Sequence, residues 1–153
     1  MLGAAQKAWL KAAMKASAAP FKLLVSSIPF LAPFEDDSWF GYAAERDELK
    51  AFFKAEVKGK VTILSADFHC AWHLEDAENG LHEVIAGPLG AWPFQEIKKP
   101  QVKAVKASGR FYLIDQMNYA MARIEDGGGK PTLTITVHDK TGAEKYRFGV
   151  QSG

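Results

Sequence analysis

The spacing of apolar residues in the first twenty positions predicts an amphipathic helix. Side chains suited to one face recur three and four residues apart, at Leu2, Gln6, Trp9, Leu10, Ala13 and Met14. Trp9 is the largest of them, so we expect it to anchor the buried face. Three lysines lie four residues apart elsewhere on the helix: Lys7, Lys11 and Lys15. We interpret them as a solvated face rather than a membrane or phosphate patch.

Two short apolar runs, each preceded by a helical pattern, predict a parallel β-sheet. Pro20 ends the first helix, and Phe21 to Val25 has the length of a buried strand. Residues 43–57 form a second amphipathic pattern, and Val61 to Leu64 is apolar or β-branched without alternation. This order is typical of parallel strands joined by crossover helices. Any ligand site should then lie beyond the carboxyl ends of the strands.

The loop between the first strand and the second helix contains both aromatic and acidic residues. Its aromatic residues are Phe30, Phe34, Trp39, Phe40 and Tyr42. A loop this aromatic should pack onto the domain, and we expect Trp39 and Tyr42 to lie near the turn after the second strand. Glu35, Asp36 and Asp37 form an acidic cluster, which we interpret as local structure, with Asp37 or Ser38 capping a helix.

The second half of the chain predicts an antiparallel sheet. His82 to Ala86, Phe111 to Ile114 and Met117 to Glu125 suit strands, and residues 132–138 alternate strictly between apolar and polar. Residues 139–142 supply a hairpin turn, after which alternation resumes. Gly127 to Gly129 precedes a proline and a strand rather than a helix, so it is a turn and not a phosphate-binding loop. With no composition boundary visible, we predict one domain over residues 1–153.

Composition excludes several classes of protein. The chain has 19 Lys and Arg against 18 Asp and Glu, a net charge of +1, so it has no nucleic-acid-binding signature. Hydrophobic residues make up 48%, which excludes intrinsic disorder. The single cysteine excludes an intrachain disulfide. The longest apolar stretch, Phe21 to Phe34, contains a lysine and two prolines and is too short to span a membrane.

The strongest candidate for chemistry is the pair Asp67 and His69, directly after the second predicted strand. On an extended backbone two such side chains point to the same side and could reach a shared metal ion. By spacing alone, a metal or catalytic role competes with an ordinary histidine at a loop edge. A helical zinc pair of His69 with His73 is disfavoured, because Cys70 stands where the metalloprotease pattern has glutamate.

The remaining reactive residues favour structural roles. Cys70 is expected to be a small buried residue rather than a nucleophile or ligand. His82 and His138 lie on predicted strands, where packing or surface roles are expected. No serine stands in a nucleophile-elbow context, so a serine hydrolase triad is not predicted.

Three ordered motifs together resemble the later part of the PhoD-like metallophosphatases, the alkaline phosphatase D family. The first pattern, L-G-x-x-Q-x-x-W-L, is matched by Leu2, Gly3, Gln6, Trp9 and Leu10. The second, D-x-W-x-G-Y-x-x-E-R, is matched by Asp37, Trp39, Gly41, Tyr42, Glu45 and Arg46. The third is a hydrophobic strand ending in G-D-x-H, which Asp67 and His69 match, with Ala66 in place of the glycine. The match covers about residues 1–75.

The resemblance implies a metal-dependent phosphomonoesterase or phosphodiesterase on an α/β/β/α sandwich. It implies that Asp67 is a metal ligand, that His69 is a ligand or faces the phosphate, and that the metals are iron and calcium. The family's other ligands come from upstream segments with no counterpart here. We therefore expect the C-terminal portion of a longer enzyme, or a truncated product, with little turnover by itself. The alternative is a non-catalytic remnant or a protein-interaction module. Localisation is not predicted.

Overall fold

A computed structural model of the chain describes residues 1–33, 37–93 and 109–153. Two α-helices and eight strands are present there: α1 Ala4–Ala16, β1 Phe21–Ser26, α2 Ala43–Glu56, β2 Lys60–Ser65, β3 Ala71–Asp76, β4 Leu81–Ile85, β5 Gly109–Leu113, β6 Asn118–Glu125, β7 Thr132–Asp139 and β8 Glu144–Gln151. A 3₁₀-helix at Trp39–Tyr42 leads into α2. No helix among these residues is long and apolar enough to cross a membrane.

The strands form two sheets. The first has five strands in the order β1-β2-β4-β3-β5. Strands β1, β2 and β4 are parallel, and β3 runs antiparallel to both of its neighbours. The second sheet is the antiparallel meander β6-β7-β8. The mixed α/β fold with an antiparallel C-terminal sheet is therefore confirmed.

Three layers build the core. The two helices cover one face of the first sheet through Met14, Leu49 and Phe53, which pack with Ile63 of β2. The second sheet covers the opposite face, where its Ile135 belongs to the same buried cluster as Val84 of β4. Alternation along each strand sends successive side chains to opposite layers. The turn after β2 therefore begins at the carboxyl end of a strand that has a neighbouring strand on each side.

Strand β3 was not predicted from the sequence. Its buried residues include Trp72, His73 and Leu74, so the polar imidazole of His73 interrupts the apolar run. The antiparallel partners β4 and β5 lie on its two sides and supply its backbone hydrogen bonds. Tertiary pairing, rather than a sequence period, decides this strand.

The orientation predicted for α1 is wrong. Trp9 is 66% exposed, and Met14 is the buried residue of the helix. The lysine face turns toward α2, where Lys7 and Lys11 pair with Glu48 at 2.6 and 2.9 Å. Lys15 pairs with Glu56 at 2.6 Å. Periodicity within α1 does not show that the glutamates of α2 lie opposite these lysines, so the sequence pattern by itself indicates a solvated face.

The aromatic loop divides into buried and exposed parts. Trp39 is buried against Phe30, and its indole N–H donates to Ser26 Oγ at 3.1 Å. Tyr42 is 50% exposed, so the expectation that it packs is wrong. Ser38 caps the 3₁₀-helix by accepting a hydrogen bond from Phe40 N at 3.1 Å. Phe34, Glu35 and Asp36 lie outside the described residues.

Candidate active site

The turn after β2 has an unusual backbone. Asp67 and His69 have φ angles of 70° and 53°, in the left-handed region that residues other than glycine rarely adopt. The extended backbone expected between them is therefore wrong, and strand alternation does not place their side chains. Non-glycine residues in this region cost free energy and cluster at functional sites. Ala66 stands where the family pattern has glycine, and it is not among the residues with a left-handed φ angle.

His69 is held by the segment that follows β4. Its Nδ1 lies 2.7 Å from the carbonyl oxygen of Trp92, and the two rings lie 4.4 Å apart. A carbonyl oxygen only accepts hydrogen bonds, so Nδ1 carries the proton and donates. In the neutral ring the lone pair is then on Nε2, to which no described residue hydrogen-bonds. Metal-binding histidines are oriented in this way.

The two predicted ligands remain an incomplete set. Asp67 is exposed and His69 half-buried. Among residues 1–33, 37–93 and 109–153 no group of three or more His, Cys, Asp or Glu side chains could hold a metal ion. The donor chemistry suits hard or borderline cations, since it combines a carboxylate with an imidazole. A stable polynuclear site would need further ligands.

A buried carboxylate supports the end of β2. Glu83 on β4 is 0% exposed and accepts a hydrogen bond from Ser65 Oγ at 2.6 Å. The backbone N–H groups of Phe30 and Leu31 also donate to it, each at 2.6 Å. Burial raises the pKa of Glu83, while these donors oppose the shift. Ser65 directly precedes the turn, so Glu83 fixes the point from which Asp67 and His69 extend.

Sequence reasoning missed Glu83. The available signal was an acidic residue inside the apolar run of a predicted strand, since Glu83 stands between His82 and Val84. Charged residues are almost never fully buried unless they are paired or hydrogen-bonded. The loop donors are more than fifty residues away in the chain, so their convergence is a property of the tertiary structure.

The other candidates have structural surroundings. Cys70 is buried, and burial raises the pKa of its thiol to about 12, which agrees with the role of a small packing residue. The zinc pairing of His69 with His73 finds no support, because His73 lies on β3 rather than on a helix. His73 instead contacts Tyr146 and His82, at 2.8 and 3.1 Å.

The remaining histidines occupy the predicted packing and surface positions. His82 packs against the ring of Phe148 at 5.5 Å. His138 stacks on Tyr119 at 5.1 Å and contacts Thr136 Oγ1 at 2.9 Å. Neither lies in the turn after β2, so neither adds a ligand to Asp67 and His69.

Comparison with known proteins agrees with this architecture. The model of a family described as PhoD-like phosphatase matches residues 1–136. A solved structure described as "Structure of PhoD" matches with a TM-score of 0.61 and 20% sequence identity, covering 99% of this chain and 35% of that chain. This chain thus spans about a third of the length of that relative. No curated protein matches.

Proposed function

Because the chain belongs to the PhoD-like phosphatase family, we propose that it carries part of the active site of a metal-dependent phosphoric ester hydrolase. Its substrate would be a phosphate monoester or diester. Asp67 and His69 would be the metal-binding residues that this chain contributes. The relative is about three times as long as the aligned region. A complete active site would therefore need residues from a longer chain.

The observation that carries the proposal is the hydrogen bond between His69 Nδ1 and the Trp92 carbonyl, 2.7 Å long. It selects the tautomer that leaves Nε2 free to bind a cation or to approach a phosphate. The left-handed backbone of Asp67 and His69 is a second supporting feature, because such strain persists only where the surroundings impose it.

The residues of the turn would have separate roles. Asp67 would supply carboxylate oxygens to a hard cation such as calcium or iron, and His69 would supply Nε2 or orient the phosphate. Bound cations would polarise the phosphoryl oxygen and favour a nucleophile at neutral pH. Glu83 would act as a positioning residue, since it holds Ser65 and the neighbouring loop in place.

Metal binding by the chain tests the assignment independently of turnover. Calorimetric titration with calcium should show weak binding that Asp67→Asn abolishes and His69→Gln reduces severalfold, because each change removes a ligand atom. The matched controls are Asp126→Asn and His138→Gln, which alter an exposed turn and a hairpin strand. Calcium binding that is unchanged by Asp67→Asn would contradict the assignment.

Turnover tests the activity itself. Hydrolysis of aryl phosphate monoesters and diesters, with iron and calcium supplied, should be little or none for the chain alone, because a two-metal site needs ligands from several loops. Robust hydrolysis that disappears in Asp67→Ala would support the family activity and overturn the expectation of incompleteness. Hydrolysis that Asp67→Ala leaves unchanged would show that the activity does not come from the turn after β2. A chain that gains no activity with the complementary part of a PhoD domain would favour a non-catalytic interaction module.

A further inference from the structure

The loop after β4 is attached to the second sheet through Asn118. This residue begins β6 and is 1% exposed. Its Nδ2 donates to the carbonyl oxygen of Gly87 at 2.7 Å, and its Oδ1 accepts from the Gly87 N–H at 2.9 Å. The backbone N–H of Asn118 also donates, to the carbonyl oxygen of Pro88 at 3.1 Å. Asn118 therefore holds successive peptide groups at the point where the chain leaves β4.

These hydrogen bonds use the chemistry of a primary amide. Nδ2 of Asn118 also donates to the carbonyl oxygen of Gln116 at 3.1 Å, so both of its hydrogens have acceptors. A carboxylate of the same size could accept from the Gly87 N–H but could not donate to either carbonyl group. Since the side chain is buried, a lost bond here leaves a backbone group poorly satisfied. The position therefore needs an amide and not simply a polar side chain.

The loop that Asn118 holds also supplies the acceptor for His69. It starts beside the end of β2, where Ala86 N–H donates to the carbonyl oxygen of Ser65 at 3.0 Å. It continues to Trp92, whose carbonyl oxygen accepts from His69 Nδ1 at 2.7 Å. Residues 89–92 between these points are exposed. The place of the Trp92 carbonyl therefore depends on the anchored start of the loop.

We propose that Asn118 is a positioning residue for His69. By fixing the loop after β4, it places the Trp92 carbonyl so that His69 carries its proton on Nδ1 and keeps Nε2 for a cation or a phosphate. The connection from Asn118 to the His69 tautomer is independent of the reaction, whereas its use in metal or phosphate binding rests on the proposed function. The second sheet thus acts on the candidate site without contributing Asp67 or His69.

The tautomer of His69 can be measured without any metal. Long-range ¹H–¹⁵N correlation spectra of the whole chain at about pH 8.5, where histidine side chains are neutral, distinguish the two tautomers. His69→Gln identifies the signals. The Nδ1–H form should predominate in the wild-type chain. Its ratio to the Nε2–H form should fall roughly three- to tenfold in Asn118→Ala and in the equally large Asn118→Asp, as expected for the loss of one neutral hydrogen bond.

Asp139→Ala is the matched control. Asp139 lies opposite Asn118 on β7 and is 7% exposed, and its carboxylate accepts from the backbone of Thr141 and Ala143 in the β7–β8 hairpin. This substitution also removes a buried polar side chain, but it should leave the His69 tautomer ratio unchanged. An unchanged ratio in the folded Asn118 variants would overturn the proposal. So would an equal fall in Asp139→Ala, because a general loosening of the sheet would then explain both.

A loop insertion provides a second test if the Asn118 variants do not fold. Two glycines inserted between Leu89 and Gly90 lengthen an exposed segment and leave the hydrogen bonds of Asn118 in place. The insertion separates the anchored start of the loop from Trp92, so the tautomer ratio should fall as it does in Asn118→Ala. A ratio that the insertion leaves unchanged would overturn the proposal, because the Trp92 carbonyl would then be held independently of Asn118.

Calcium titration distinguishes this proposal from the proposed function. Asn118→Ala should weaken calcium binding severalfold in the wild-type background and have no further effect in His69→Gln, because its effect passes through His69. A tautomer change in a chain that binds no calcium would support the positioning role and contradict the proposed function. A further loss of calcium binding on adding Asn118→Ala to His69→Gln would show another route of action and overturn the positioning role.

Discussion

Glu83 shows how one side chain organises two distant segments. Its carboxylate accepts the Ser65 hydroxyl at the end of β2 and two backbone N–H groups from the loop after β1. Ser65 and Phe30 are buried, so their two donors depend on the carboxylate for a partner. The same residue therefore contributes to stability and to the placement of the turn that bears Asp67.

Replacing Glu83 should be strongly destabilising. Glu83→Ala leaves buried donors without an acceptor, and we expect a loss of about 3–5 kcal/mol in the free energy of unfolding. Urea denaturation followed by far-UV circular dichroism measures it. The control Glu144→Ala removes an exposed carboxylate paired with Arg147 and should have a small effect. Equal effects of the two substitutions would contradict the assigned role.

At the scale of the secondary-structure elements, the connection from α2 to β2 passes close to the backbone of Pro20, which directly precedes β1. Gly59 has φ of 86°, and a Cβ atom there would lie 2.5 Å from the carbonyl oxygen of Pro20. That oxygen accepts a hydrogen bond from Lys60 N at 2.9 Å, at the start of the β1–β2 pairing. Glycine is therefore required both for the dihedral angle and for the space.

Gly59→Ala should destabilise the protein by more than 2 kcal/mol, because it adds a backbone clash to the cost of a left-handed alanine. Thermal or urea unfolding measures the loss. Gly80→Ala is the matched control, since Gly80 also has positive φ, at 65°, but a Cβ atom there has no neighbour within 4 Å. That substitution should cost about 1 kcal/mol. A Gly80→Ala loss as large as that of Gly59→Ala would show that the dihedral angle alone matters.

At the scale of the whole molecule, a histidine lies between the two sheets. His73 of β3 is 1% exposed, contacts Tyr146 of β8 and stacks on Phe148 at 4.0 Å. The pKa of His73 is lowered from 6.5 to about 4, mainly by burial, with the neighbouring His82 and Arg110 also lowering it and Glu75 raising it. The layers therefore pack around a neutral imidazole.

This arrangement predicts acid sensitivity. Between pH 6.5 and about 4 the unfolded chain binds a proton that folded His73 does not, so the free energy of unfolding should fall as the pH falls. At about 1.4 kcal/mol for each pKa unit, the loss should reach about 3 kcal/mol and level off below pH 4. Urea unfolding across this range should show a shallower dependence in His73→Phe.

His138→Gln serves as the control, because His138 lies in the β7–β8 hairpin rather than between the layers. It should retain the slope of the wild-type chain. Equal slopes for the wild-type chain and His73→Phe would assign the acid sensitivity to other groups, such as carboxylates that lose their ion pairs.

The sequence determined the features that depend on neighbours along the chain. Helix periodicity located α1 and α2, short apolar runs located β1 and β2, and strict alternation with turn residues located the β7–β8 hairpin. The three ordered motifs identified the family, and the position of Asp67 and His69 just after a strand singled out a candidate site that stays a prediction.

Tertiary structure decided whatever depends on contacts between distant residues. The side of α1 that faces inward follows from glutamates on α2, and so Trp9 is exposed while the lysines form ion pairs. Strand β3 exists because β4 and β5 lie beside it, and Glu83 is stable in the interior because a distant loop supplies its donors. A periodic pattern shows that a face is apolar or charged, but not which element covers it. The element that covers each face is decided by the packing of the whole chain.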